Sequence, residues 1–317
     1  MYPWLVPTWN QWLEFVEHDR LASSLLLTAE KGIGLDSLIA AMTKSILCQN
    51  SSDGCGFCHS CQLIKAQSHP DCHIIMPEKS GKAITVEQIR SANKLALESS
   101  QLGGYRVIVI HPAEAMNESA SNALLKTLEE PAEKCCFILV TTQVSQLLPT
   151  ILSRCQKMVI PAPEFTETLQ WLEQQGYFNV RPYVIKLNNF APLDVLSFIE
   201  QKREQQFNDL ETLFLTFLES SAINLYPLVS LFKTESMMNL TWIWYSLADA
   251  QKIHFGIKPC DATPNSQAIA DKVSYALIYN QLNALTILIH QLSSSTGLND
   301  ELLITNWLLD FIEDTCL

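Results

Sequence analysis

Two hydrophobic periods divide the chain. In the first half, short apolar runs alternate with segments whose apolar positions recur at three and four residues; in the second half only the longer period persists. Brief apolar runs bounded by turn residues are the signature of strands buried on both faces, and the three-to-four spacing is that of helices. Strands are predicted at residues 25–28, 73–76, 105–110, 136–141 and 156–160. Between the first two, Leu35, Leu38, Ile39, Met42, Ile46 and Leu47 line one face of a helix. Thr85 and Gln88 form a capping-box pair with Ile84 and Ile89 at the staple positions, which opens a helix running to about residue 97. Another helix begins near Asn117 and must stop near Glu130, because Pro131 has no amide hydrogen and restricts its predecessor. The alternation predicts a parallel sheet flanked by helices.

Pro161-Ala162-Pro163 interrupts this pattern. A helix over 166–175, closed by Gly176, follows it and opens a small helical domain ending near 207. From 208 onward the apolar faces around 210–218, 240–250, 268–288 and 302–313 predict an all-helical domain. The expected class is therefore α/β plus all-α, with domains at 1–165, 166–207 and 208–317.

Composition narrows the function. With 317 residues, 48% apolar and only 17% charged, the chain can build cores without disulfides, and its thinly charged surface suits protein interfaces. The net charge of −12 excludes a surface that grips nucleic acid throughout, though it leaves room for a local basic patch. Residues 208–317 carry four lysines and no arginine against twelve acidic residues, a net of −8. No window approaches the roughly 18 uninterrupted apolar residues of a membrane span and the amino terminus lacks a basic run ahead of an apolar stretch, so a cytoplasmic protein is expected.

Four of the ten cysteines fall within fourteen residues as Cys48, Cys55, Cys58 and Cys61. Two-residue gaps beside Gly54 and Gly56 let thiolates converge on one tetrahedral ion, and four of them close its coordination shell, so a structural zinc is the economical reading. An iron–sulfur run would want a cysteine where Lys65 stands. Spacing leaves the fourth ligand open among Cys48, His59, His69 and Cys72.

The segment from Ala29 to Asp36 follows a strand and opens a helix, where backbone amides of a glycine-rich turn can cradle phosphates. Gly32 and Gly34 supply the turn, but Leu35 stands where a lysine would reach the phosphates and Asp36 replaces the hydroxyl that would hold magnesium. His111-Pro112 follows the third strand where an acidic pair is needed. The loop has the form of a phosphate site without its chemistry, so no bound ATP and no intrinsic ATPase activity are expected.

These features, with the decapeptide Asn122-Ala123-Leu124-Leu125-Lys126-Thr127-Leu128-Glu129-Glu130-Pro131 and the tripeptide Ser153-Arg154-Cys155, resemble the delta-prime family of bacterial DNA polymerase III clamp-loader subunits. The likeness extends from Tyr2-Pro3-Trp4-Leu5 through Ser68-His69-Pro70-Asp71 to Thr296-Gly297-Leu298-Asn299 and Glu301-Leu302-Leu303-Ile304-Thr305. It implies an AAA+-like domain with an inserted zinc module at 48–61, a helical lid-like domain and a helical collar that joins a five-membered assembly. It also implies that Cys48, Cys55, Cys58 and Cys61 are the zinc ligands and that Cys72 is an ordinary buried thiol. The implied partners are ATPase subunits of gamma or tau type and a clamp-opening delta subunit, with the sliding clamp and primed DNA reached through the complex, and no membrane. On this resemblance the chain would be a non-catalytic stator within a DNA-directed DNA polymerase holoenzyme. Arg154, which alone reads as an intrachain ion pair or a helix-end cap, becomes a finger that stabilises charge on a neighbour's ATP. Leu187-Asn188-Asn189-Phe190-Ala191-Pro192 departs from the family's usual glycine-bearing helix junction, which bears on the lid geometry alone. Two rivals make other demands: an active ATPase needs the side chains that Leu35 and Asp36 replace, and a DNA-reading cysteine knob needs more basic residues than Lys44 and Lys65.

Overall fold

The computed structural model describes residues 1–79, 81–219, 221–294 and 298–313; Thr296 and Gly297 of the sequence likeness lie outside them. The chain divides after Pro163 into two compact units. In the first, β1 (Ser24–Ala29), β2 (Cys72–Ile75), β3 (Arg106–Ile110), β4 (Cys135–Thr141) and β5 (Gln156–Ile160) form one sheet in the order β2-β3-β4-β1-β5. Every pairing is parallel, with Leu26 opposite Leu139 and Phe137 opposite Ile108 in the middle. All residues of β3 and β4 are buried, which is why these strands read as unbroken apolar runs, whereas only Met158 and Ile160 of β5 are buried at its edge. All five predicted strands are present, within a residue of the predicted bounds.

The intervening helices follow their sequence signals. Thr85 Oγ1 accepts from the Gln88 amide at 3.4 Å while Gln88 Oε1 accepts from the Thr85 amide at 2.9 Å, so the capping box opens Val86–Leu97. Asn117 caps Glu118–Glu129 by accepting from the Ala120 amide at 2.8 Å. That helix gives out at Glu130, whose φ of −125° and ψ of 67° have left the helical region ahead of Pro131. Helix Leu35–Leu47 runs straight into the cysteine segment.

The described residues of the second unit contain no strand. Its helices are Phe165–Gln174, Pro182–Leu187, Pro192–Glu200, Arg203–Glu219, Ser221–Thr234, Ser236–His254, Ser266–Lys272, Tyr275–Ser294 and Asp300–Glu313. The apolar face predicted over 268–288 is two helices. Val273 is extended at φ −115° and ψ 131°, and the Ser274 hydroxyl accepts from the Leu277 amide at 3.3 Å to start the second. Ser221–Thr234, which contains Pro227, was not foreseen as an element, since a proline within an apolar run reads as a break.

Buried charges fasten this unit. Lys186 Nζ lies 2.6 Å from Asp249 Oδ2, both side chains almost fully buried, and the same carboxylate oxygen accepts from the Thr263 amide at 2.9 Å. Glu211, also buried, accepts from the Ser246 hydroxyl at 2.6 Å and from the Asn265 amide at 3.1 Å; burial raises its pKa despite these bonds. The two carboxylates thus hold both ends of the 263–265 turn, and Lys186 ties Pro182–Leu187 to Ser236–His254. Around them Phe198, Phe207 and Trp242 meet edge to face at 5.6–5.7 Å. Removing Lys186 leaves the buried Asp249 with the half-exposed Lys252, 3.3 Å away, as its remaining cationic partner, so Lys186→Met should cost about 3 kcal/mol at most in urea unfolding. The double replacement Lys186→Met with Asp249→Leu should recover much of that loss, and a single variant as stable as the parent would contradict the pairing.

Candidate functional site

Three features of the first unit carry chemistry, and the cysteine cluster is the most complete. Cys48 closes helix Leu35–Leu47, and Cys58 caps His59–Lys65, on which Cys61 sits. The sulfur atoms of Cys48, Cys55, Cys58 and Cys61 all lie within 4.8 Å of one another, with Cys48 and Cys58 3.9 Å apart. A tetrahedral ion with metal–sulfur bonds of about 2.3 Å needs sulfurs about 3.8 Å apart, so these four could hold a metal ion. Gly54 and Gly56, at φ 81° and 83°, turn the loop back on itself. The Cys55 amide thereby points at Cys48 Sγ (3.3 Å), and the Cys58 amide points at Cys55 Sγ (3.4 Å). A Cβ on Gly54 would lie 2.8 Å from Lys44 Cγ, so the lysine stem crosses the loop there.

The thiols differ in readiness to ionise. Burial opposes ionisation of Cys48, but the amides of Asn50 and Cys55 outweigh it and pull the thiol down to about 6. The Cys61 and Gln49 amides lower Cys58. Burial pushes Cys61 up to about 12, so its thiolate form needs a cation beside it. Two of the alternative ligands stand outside this cluster. Cys72 lies in β2 with its thiol pushed up to about 11 by burial. His69 Nδ1 accepts from the Asp71 amide at 3.1 Å, which leaves Nε2 to donate to Ser60 Oγ at 2.7 Å, and that hydroxyl donates to the Leu47 carbonyl at 2.6 Å. Burial lowers the His69 pKa and keeps this relay neutral.

Asp71 continues the support. It accepts from the amides of Gln101 (2.8 Å) and Leu102 (3.0 Å) and from Arg106 (3.1 Å), each side chain of the ion pair being almost fully buried. Burial pushes the carboxyl up, but those amides and the guanidinium hold it below its ordinary value. Arg106 also donates to the Ser99 carbonyl at 2.8 Å and to that of Leu95. Sequence reading missed this role for Arg106. The available signal was an arginine opening a strand that is otherwise wholly apolar.

The segment read as a phosphate-loop turn is covered by the chain itself. Gly32 and Gly34 hold φ 76° and 79°, and Gly34 caps helix Leu35–Leu47. The ring of Tyr2 lies against that cap: a Cβ on Gly34 would come within 2.2 Å of Tyr2 Cε2. Tyr2 stacks on Trp4 at 5.2 Å, and Trp4 Nε1 donates to the Ile33 carbonyl at 2.8 Å. Leu35 is buried, whereas Asp36 is exposed and faces His111 Nε2 at 3.7 Å.

Arg154 stands between the short helix Pro149–Leu152 and β5. Its Nε donates to Glu129 Oε1 at 2.7 Å and its Nη2 to the same oxygen, while Nη1 donates to the Thr150 carbonyl at 2.9 Å. The side chain keeps 30% exposure. Both the ion pair and the helix-end cap read from the bare tripeptide are therefore present. Cys155 is buried among Leu124, Leu128 and Ile151. Thr142 donates through both its amide (3.1 Å) and its hydroxyl (2.8 Å) to Glu114, and Thr141 accepts from the Gln143 amide at 3.0 Å, so both threonines are engaged locally.

A family model described as DNA polymerase III, delta subunit matches residues 6–164, and one described as the C-terminal part of that subunit matches 199–313. The DNA polymerase III subunit delta-prime of Yersinia pestis is 33% identical over 98% of this chain and 95% of its own length. That of Escherichia coli is 31% identical over 97% and 94%. The chain belongs to the DNA polymerase III delta-prime family. The delta-prime protein of Haemophilus influenzae is 33% identical over 80% of this chain and 77% of its own length. A gamma subunit-related protein from Thermotoga maritima superposes with a TM-score of 0.47 at 15% identity, over 96% of this chain and 98% of that one. As a member of this family the chain has an AAA+-like first unit, its five-stranded parallel sheet carrying the cysteine insertion between β1 and β2. No helix among the described residues is long and apolar enough to cross a membrane.

Gly34→Ala should lower stability by about 1–3 kcal/mol, because both the left-handed backbone and the Tyr2 ring must yield. In a Tyr2→Ala background the steric share vanishes and only the backbone share remains. Additive effects in urea unfolding would show that the ring does not press on the loop.

Proposed function

We propose that this chain is a nucleotide-free stator subunit of the sliding-clamp loader and that Arg154 serves the ATP site of a neighbouring subunit during loading onto primed DNA. The observation that carries the reading is the contrast within one unit. The phosphate loop bears Leu35 and Asp36 and lies under Tyr2, while Arg154 remains partly exposed at the start of β5. An arginine supplied across an interface stabilises charge developing on a γ-phosphate without its own subunit binding nucleotide. The partners are ATPase subunits of gamma or tau type and a clamp-opening delta subunit, with the clamp and DNA reached through the assembly. In this reading residues 1–165 are the AAA+-like domain, 166–207 a lid-like domain and 208–317 the collar, and the protein works in the cytoplasm. Gly32 and Gly34 remain as a tight turn rather than a cofactor site.

The family assignment and the sulfur geometry support a structural zinc on Cys48, Cys55, Cys58 and Cys61. Such an ion would supply folding energy by drawing helix Leu35–Leu47 and helix His59–Lys65 to one centre. Metal analysis of the reduced protein is expected to give about one zinc per chain, lost with Cys58→Ser together with thermal stability. A metal-free chain of equal stability would reject the site.

For the finger, Arg154→Ala should assemble normally and lower DNA-stimulated ATP turnover of the complex, with the isolated parent chain showing no ATP binding by calorimetry even after Tyr2→Ala. Unchanged turnover at saturating DNA would overturn the role in trans, and ATP binding by the isolated chain would overturn the nucleotide-free reading.

A further inference from the structure

We infer that Glu129 is a positioning residue for Arg154, an inference that rests on the proposed action of Arg154 in trans. The guanidinium is gripped on two sides. Its Nε and Nη2 both donate to Glu129 Oε1, the first at 2.7 Å. On the other side, Nη1 donates to the Thr150 carbonyl at 2.9 Å and to Ser153 Oγ at 3.3 Å. An arginine has five N–H donors. These contacts occupy all but one, on Nη2, and leave the plane of the group fixed.

Both supports stand on packed elements. Glu129 is the last residue of Glu118–Glu129, whose Ala120, Leu124 and Leu128 are buried in the same cluster as Ile151 of the short helix that carries Thr150. The grip is therefore a property of the core and not of a loose surface pair. Glu129 has no evident use to its own helix. A carboxylate at the last turn faces the negative end of the helix dipole, and Glu130 beside it adds a second one. The cost is offset by Arg154, and only that residue takes the carboxylate as a partner among the described ion pairs.

A carboxylate beside a finger could be thought to cancel its charge. Glu129 is 47% exposed, however, so its field is screened by water over the distance to a phosphate on another subunit, whereas its two hydrogen bonds act at contact. What it supplies is orientation: a long, flexible side chain has its direction set before the neighbour's nucleotide arrives.

The test uses the assembled clamp loader with its clamp and primed DNA, comparing Glu129→Ala, Glu129→Gln, Arg154→Ala and the Glu129→Ala/Arg154→Ala double variant for kcat and KM of ATP turnover. Glu129→Ala is expected to lower kcat about tenfold with KM for ATP unchanged, because the misaimed finger affects the transition state more than binding. Glu129→Gln, which keeps an acceptor oxygen, should recover most of that loss. The double variant should be no worse than Arg154→Ala, while assembly of each variant is unchanged and its thermal midpoint stays within a few degrees of the parent, as loss of a partly exposed ion pair allows. Parent kcat in Glu129→Ala with a depressed Arg154→Ala would overturn the positioning role and leave the finger standing. Faster turnover in Glu129→Ala would also overturn it, since Glu129 would then be a restraint; losses that add in the double variant would place its action elsewhere. Parent kcat in Arg154→Ala would instead remove the trans role on which the inference rests.

Discussion

A parallel sheet has no face it can leave in water, and that requirement organises the first unit. Its strands pair only with crossovers between them, and the crossovers lay helices over both faces. β3 and β4 are consequently buried along their whole length, and the chemistry sits where backbone emerges from the sheet. The phosphate-loop segment leaves the end of β1, His111 leaves the end of β3, and Arg154 enters β5. With β1 and β5 paired in parallel, Leu25 opposite Gln156, Arg154 enters β5 level with the start of β1, at the other end of the sheet from the phosphate-loop segment. Open parallel sheets bind ligands at such strand ends. Here, at the end of β1, Tyr2 lies against Gly34 and Trp4 is bonded to the Ile33 carbonyl.

Buried polar groups then decide details that apolar packing leaves free. Hydrophobic burial alone would let the edge strand β2 and the cysteine segment slide, because neither presents a distinctive shape. Asp71 removes that freedom. It binds Arg106 of the neighbouring strand, fixes the turn at Gln101 and Leu102, and through its own amide orients His69 toward Ser60 and the end of helix Leu35–Leu47. A cluster whose sulfurs must lie within a few tenths of an ångström of a tetrahedron benefits from such a frame. In the second unit Asp249 and Glu211 act the same way on the 263–265 turn.

Elements with a period or a cap were legible in the sequence. The strands, the capping box at Thr85 and the stop before Pro131 are consequences of local sterics and hydrogen bonding, which a linear sequence records. The cysteine set was legible in part. Two-residue gaps pointed to Cys55, Cys58 and Cys61, spacing left the fourth position open, and the family resemblance named Cys48; the fold brings the Cys48 sulfur to the other three and turns His69 to Ser60. Long-range pairings left no local trace: Asp71 with Arg106 spans 35 positions and Lys186 with Asp249 spans 63. The break at Val273 was missed for a related reason, because the apolar period continues across it and only the Ser274 cap marks a second start.

The tripeptide around Arg154 shows where such reading ends. As residues it specified an ion pair or a helix-end cap, and the geometry contains both; as a family motif it specified a group that acts on another chain. The two accounts are compatible because they concern different ends of one function. A finger must be long enough to reach across an interface, and length brings rotamer freedom that would be lost on engagement. Local bonds to Glu129 and Thr150 remove much of that freedom in advance, at the modest net cost of a half-exposed ion pair. In the proposed reading the subunit binds no nucleotide itself and so has no ligand to order its side chains. On that reading the order of Arg154 has to be built into its own fold, and the helix that ends at Glu129 offers the partner for it.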